Sequence, residues 1–157
     1  MVIRPYMSAL THVATVVATL VLAAPVRAEP KINEVMSANT ATLADDDGDY
    51  PDWIEIFNPD STAASLAGWY LTDSASNKTK WQFPAVPLPA GGYLVVFASN
   101  KNRRDPARTL HTNFALDAAG DYLALVKPDG VTAVSEFAPK LPPQFTDISY
   151  GVAQTAV

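Results

Sequence analysis

The sequence contains no cysteine in 157 residues. That single absence excludes disulfides, thiol nucleophiles, zinc ribbons and iron–sulfur clusters together. Histidine is almost as scarce, with only His12 and His111, so no His-rich zinc site can form and no HExxH is present. There is no GxSxG elbow, no P-loop and no GxGxxG, which removes the common hydrolase, phosphate and dinucleotide motifs. Basic residues are outnumbered 11 to 16, a net charge of −5. A nucleic-acid binder carries a basic footprint, so no nucleic-acid partner is expected. With 48% hydrophobic and 17% charged residues, the chain is not disordered. What remains is a small acidic globular protein with room for one domain.

The first 28 residues read as a signal peptide. Arg4 and the amino terminus give a thin positive start, and Val13 to Ala24 form an apolar run of 12 residues. Val26-Arg27-Ala28 supplies the small residues a signal peptidase requires, so cleavage is expected after Ala28. The run is too short to span a bilayer comfortably, which takes about 20 residues, so cleavage is the better reading over an uncleaved N-terminal anchor, and no membrane span is expected after cleavage. The expected location is secreted, periplasmic or cell-surface. Without Arg4 and Arg27, residues 29–157 keep 9 basic residues against 16 acidic ones, a net charge of −7.

No sustained i, i+3, i+4, i+7 apolar pattern appears after residue 30, so helices are not expected. Short runs rich in Val, Ile, Tyr, Trp and Phe recur instead, divided by Gly, Pro, Asn and Asp. This is the pattern of an all-β sandwich or barrel. Strands are expected at Lys31 to Met36, Asp52 to Asn58, Trp69 to Asp73, Thr79 to Phe83, Gly92 to Ala98, Asp121 to Lys127, Val131 to Phe137 and Ile148 to Gly151. Gly92 to Ala98 is nearly continuous apolar, so both of its faces should be covered. Pro128-Asp129-Gly130 predicts a hairpin between its two neighbours. The 13 prolines against 7 glycines suit loops and sheet edges.

These segments follow an order with a known counterpart. Ile32-Asn33-Glu34-Val35-Met36 leads into Asp45-Asp46-Asp47-Gly48-Asp49, then Asp52-Trp53-Ile54-Glu55-Ile56-Phe57-Asn58-Pro59. Gly68-Trp69-Tyr70-Leu71-Thr72-Asp73 and Trp81-Gln82-Phe83-Pro84 come next. Gly91-Gly92-Tyr93-Leu94-Val95-Val96-Phe97 and His111-Thr112-Asn113-Phe114 follow. The series resembles the bacterial lamin-tail domain over about residues 30–151. The resemblance implies an immunoglobulin-like β-sandwich in an exported protein, residues 29–157 forming the domain. It implies a non-catalytic binding or anchoring module that contacts protein or a surface polysaccharide, and it carries no catalytic residues. Such domains usually run on past the position of Tyr150-Gly151, whereas this chain stops six residues after Gly151. A shortened last strand, or a longer parent protein, is therefore expected.

Four features bear on function. Asp45, Asp46, Asp47, Asp49, Asp52 and Glu55 place six carboxylates within eleven residues. Hard cations such as Ca²⁺ take six to eight oxygen ligands, and Asp45, Asp47 and Asp49 have the spacing that opens a calcium loop. Tyr50 and Ile56 stand where an EF-hand needs Gly and Glu, so any site is irregular. The calcium candidates are Asp45, Asp47, Asp49 and Asp52; the simpler alternative is a solvated acidic turn. In the second strand Trp53, Glu55 and Phe57 point one way and Ile54 and Ile56 the other. Trp53, Trp69, Tyr70 and Trp81 suit either a packed core or a sugar-stacking surface, the core being the better reading. Lys101, Arg103, Arg104 and Arg108 form a basic loop that either meets an anionic polymer or is simply solvated. His111, the only histidine outside the leader, reads as structural, hydrogen-bonded near a strand start. The functional alternatives are a small carboxylate hydrolase and a structural spacer in a longer surface protein.

Overall fold

A computed structural model describes residues 29–152. The expected signal peptide lies outside the described residues. Eleven strands form, and no helix is present among the described residues. They are β1 (Lys31–Met36), β2 (Asp52–Phe57), β3 (Ala64–Ser65), β4 (Tyr70–Thr72), β5 (Trp81–Gln82) and β6 (Pro87–Leu88), followed by β7 (Tyr93–Ala98), β8 (Leu110–His111), β9 (Leu123–Val126), β10 (Ala133–Phe137) and β11 (Tyr150–Gly151). One sheet has the order β11-β1-β2-β7-β8 and the other β10-β9-β4-β5, with β3 and β6 pairing separately. All pairs are antiparallel except β7 with β8. This is the expected all-β, immunoglobulin-like sandwich.

Alternation along the strands divides the apolar residues between two places. Ile32, Val35, Ile54, Ile56 and Val96 from the first sheet meet Leu71, Trp81, Leu123 and Leu125 from the second in the main core. Ile32 and Val35 both face inward although three residues apart, because the register of β1 against β2 shifts between Ile32 and Glu34. Such a bulge adds one residue and restores the side-chain phase beyond it.

The opposite face of the first sheet carries a second, smaller core of Met36, Trp53 and Phe97, with Val95 beside it. The register aligns them into a row, Met36 opposite Trp53, Trp53 opposite Phe97, and Phe97 opposite His111. The segment 37–51 turns back towards this face. Thr42 Oγ1 donates to Met36 Sδ at 3.1 Å, and Asp45 and Asp46 reach to within 3.9 and 4.0 Å of His111 Nε2. The first sheet is therefore covered on both sides near β8.

Three strands escape the sequence pattern: β3, β6 and β8 have two residues each, too few for any period. Double coverage of Gly92 to Ala98 holds only for its second half. Val96, Phe97 and Ala98 are buried, while Tyr93 is 49% exposed, because the segment 37–51 does not extend over that end. Trp53 and Trp81 are buried, as the core reading expected, so neither offers a sugar-stacking face.

Gly120 shows how tightly the loops are seated. Its φ is +99°, and a Cβ there would lie 2.1 Å from the Leu141 carbonyl oxygen. Gly48 has φ +85° with nothing within 4 Å of such a Cβ. Gly48→Ala should therefore cost only the left-handed backbone term, about 1–2 kcal/mol. Gly120→Ala adds a collision with backbone and should cost roughly 2–4 kcal/mol. Urea unfolding of both variants checks this, and equal losses would contradict the packing.

Candidate ionic site and adjoining cleft

The acidic segment and the basic segment, distant in sequence, are each other's partners. Segment 45–49 is a compact turn. Asp45 N donates to the Asp49 carbonyl at 2.8 Å, and Asp45 Oδ1 accepts from the amides of Asp47 and Asp49 at 2.9 and 3.0 Å. This use of an Asp side chain to close its own turn presents the remaining carboxylates outward together. The basic segment is held by a ladder in which Asn100 N bonds Phe114 O, Asn102 N bonds Thr112 O and His111 N bonds Arg103 O. Asn100 and Asn102 adopt φ of 64° and 50°, a conformation asparagine tolerates better than most residues. Lys101 lies between them.

Lys101 Nζ donates to Asp45 Oδ2 at 2.5 Å, Asp49 Oδ2 at 2.8 Å and Asp47 Oδ2 at 2.9 Å. An ammonium has three donors, so Lys101 is saturated. Arg103 bonds Asp46 and Asp47 through its two terminal nitrogens. Arg108 reaches the same pair, Nε to Asp46 and Nη2 to Asp47, both at 3.0 Å. Thr109 Oγ1 donates to Asp46 Oδ1 at 2.5 Å. Arg104 points elsewhere, its guanidinium 5.9 Å from the Trp81 ring centre. The basic loop is thus not a free solvated loop: three of its four cations are bound to the acidic turn.

The electrostatics follow. Burial pushes the Asp45 carboxyl up, yet the Lys101 bond and the backbone amides of Asp49 and Asp47 outweigh it and hold it below 3.8. The Thr109 hydroxyl, with Arg103 and Arg108, lowers Asp46 to about 2 against a smaller burial effect. Lys101 and Arg103 hold Asp47 lower still. His111 sits beneath the network with a fully buried side chain, stacked on Phe97 with ring centres 5.2 Å apart. Burial, then the nearby Arg103 and Lys101, hold it below 6.5 and neutral. Its Nε2 lies 3.0 Å from Thr109 Oγ1 and 3.4 Å from Arg103 Nη1, and its Nδ1 lies 2.8 Å from Ser99 Oγ. The structural role expected of His111 is what the structure shows.

Of the four calcium candidates, Asp45, Asp47 and Asp49 bring one oxygen each within 4.8 Å of one another. Asp52 stands apart, accepting from the Asn39 amide at 3.1 Å. The Lys101 ammonium already joins the carboxylates of Asp45, Asp47 and Asp49, so an ion there would have to displace it. Glu55 is elsewhere too, bonded by Asn33 Nδ2 at 2.7 Å. Next to the network opens a cleft of about 420 Å³ lined by Asp49, Tyr50, Asp52, Ser99 and Lys101 among others.

Residues 23–139 match the family model for the Lamin Tail Domain. The chain belongs to that family. No curated protein matches this lamin tail domain. Sequence reasoning missed the pairing of the two loops. The signal that could have found it is complementary charge, a cluster of acids before β2 and a cluster of bases after β7, on strands that pair with each other.

Two pH windows follow for this lamin tail domain. His111 is held below 6.5 when folded, so the unfolded chain takes the proton first and stability falls as pH drops below 6.5. The carboxylates are held below 3.8 when folded, so their contribution is complete above 3.8 and is lost as pH falls towards about 2 for Asp46. Urea unfolding across pH should show a first decline that starts near 6.5 and is absent from His111→Gln, then a steeper one at acid pH in both proteins. Native stability that stays flat down to pH 4 would contradict the buried neutral His111.

Proposed function

We propose that this protein is a non-catalytic, exported binding or anchoring module that engages a protein or a surface polymer. The observation that carries the reading is the use made of its polar residues. Most of the charged groups that sequence alone offers for chemistry, Asp45, Asp46, Asp47 and Asp49 with Lys101, Arg103 and Arg108, are bonded to one another, and they fix two loops on the rim of a sandwich. Membership of the lamin tail family, an immunoglobulin-like binding module, supports the same reading. Among the described residues no helix is long and apolar enough to cross a membrane. Export rests on the leader and its cleavage site after Ala28. The hydrolase alternative has less support, because Asp49, the carboxylate that shares the cleft with Asp52, already bonds Lys101. The spacer alternative leaves the cleft without a purpose.

Expression of the full chain, leader included, in a bacterial host followed by fractionation tests this. The expected product begins at Glu29, lies outside the cytoplasm and stays with washed envelopes until salt or competing polymer releases it. Retention in the cytoplasm with the leader intact, or turnover of a glycan or ester substrate lost in Asp52→Asn, would overturn it.

Calcium belongs to this reading only as a competitor of Lys101 for Asp45, Asp47 and Asp49. Melting with millimolar calcium and with chelator decides the point. Coincident curves are expected for the native chain, since the ammonium already neutralises the three carboxylates. A rise in Tm with calcium would assign the turn to the ion instead.

A further inference from the structure

The acidic turn offers no place for a new ligand, because its carboxylates are already paired. The cleft beside it is different. Asp52 opens β2 on its lining, and the carboxylate is half-buried. Its donor is the Asn39 amide, and among the described residues no lysine or arginine pairs with it. Burial therefore holds its carboxyl above 3.8, with only that amide opposing. A half-buried carboxylate without a cation is an incomplete arrangement, because desolvation of the charge is not repaid locally.

The rest of the lining shows what would complete it. The Asp49 side chain is 66% exposed and lines the same cleft. Tyr50, also on the lining, is 46% exposed. An aromatic ring on the same lining as the uncompensated Asp52 carboxylate suits a guanidinium or ammonium, which gains charge-assisted hydrogen bonds and a cation–π contact. Lys101 does not make this an anion site, since all three of its donors are taken by Asp45, Asp47 and Asp49. A neutral sugar would hydrogen-bond the Asp52 carboxylate without cancelling its charge. The wider field points the same way, with 9 basic residues against 16 acidic ones after residue 28, which steers basic partners inward.

We propose that this cleft receives a lysine or arginine side chain from a basic segment of a partner protein, its charged head at Asp52 and its stem against Tyr50. This deepens the binding-module reading and rests on it.

Calorimetric titration of the full chain with blocked hexalysine, at low and at physiological salt, tests the assignment. One saturable site is expected. Asp52→Asn should weaken it about tenfold and Tyr50→Ala about threefold. Glu136→Gln, which removes the same charge from β10 in the other sheet, should change it less than twofold. Melting curves verify that each variant is folded, and Tyr50→Ala, at an exposed position, carries the test if Asp52→Asn is not. No binding would overturn the proposal. So would equal weakening by Asp52→Asn and Glu136→Gln, which would mean diffuse attraction. Tyr50-dependent binding of a neutral hexasaccharide in place of hexalysine would overturn it too. None of these outcomes touches the binding-module reading, which fails by cytoplasmic retention or turnover.

Discussion

One ammonium organises this end of the molecule. Lys101 gathers the carboxylates of Asp45, Asp47 and Asp49, and the Asp45 side chain is completely buried. A buried carboxylate without its partner is strongly destabilising, whereas an exposed ion pair is worth little. The pairs therefore differ in weight. Lys101 with Asp45 is the anchor, because one partner has no access to water. Arg108, with its side chain 46% exposed, contributes more to orientation than to stability. Arg103 lies between, bridging Asp46 and Asp47 while touching the neighbourhood of His111.

The anchor has consequences well beyond charge. The acidic turn belongs to the connection between β1 and β2, and the basic loop to the connection between β7 and β8. Joining them closes the outer face of the first sheet over Met36, Trp53 and Phe97. An antiparallel sheet commonly leaves one face to water, and here a pair of loops supplies a second small core instead. With no cysteine available to staple loops, the ion pairs do that work. His111 joins the two systems, stacked on Phe97 below and hydrogen-bonded to Thr109 above. The cleft exists because the same two loops end beside each other without covering Asp52.

Much of the fold was legible because it rests on local pattern. Lys31 to Met36 forms a strand with the limits expected, and the hairpin across Pro128-Asp129-Gly130 joins β9 to β10. Alternation in Trp53 to Phe57 placed Ile54 and Ile56 in the main core and Trp53 on the other face correctly. Three of the two-residue strands, β3, β6 and β8, were not legible, since no period can be read in Ala64–Ser65, Pro87–Leu88 or Leu110–His111. The ionic site was half legible. Its residues stood out as two charged clusters, but each was weighed alone. The contact between Asp45 and Lys101 spans 56 positions and depends on β2 pairing with β7, which a pattern of apolar residues does not encode. Asp52 was grouped with its sequence neighbours for the same reason, although a strand start turns it into the cleft instead.

The central claim is that Lys101 and Asp45 depend on each other. A double-mutant cycle with Lys101→Met and Asp45→Asn, read by urea unfolding at neutral pH, measures that dependence most directly. The account predicts that each single change is costly, that the double variant is less damaged than their sum, and that the coupling is about 2 kcal/mol. A coupling below about 0.5 kcal/mol, the size of an ordinary exposed pair, would contradict it.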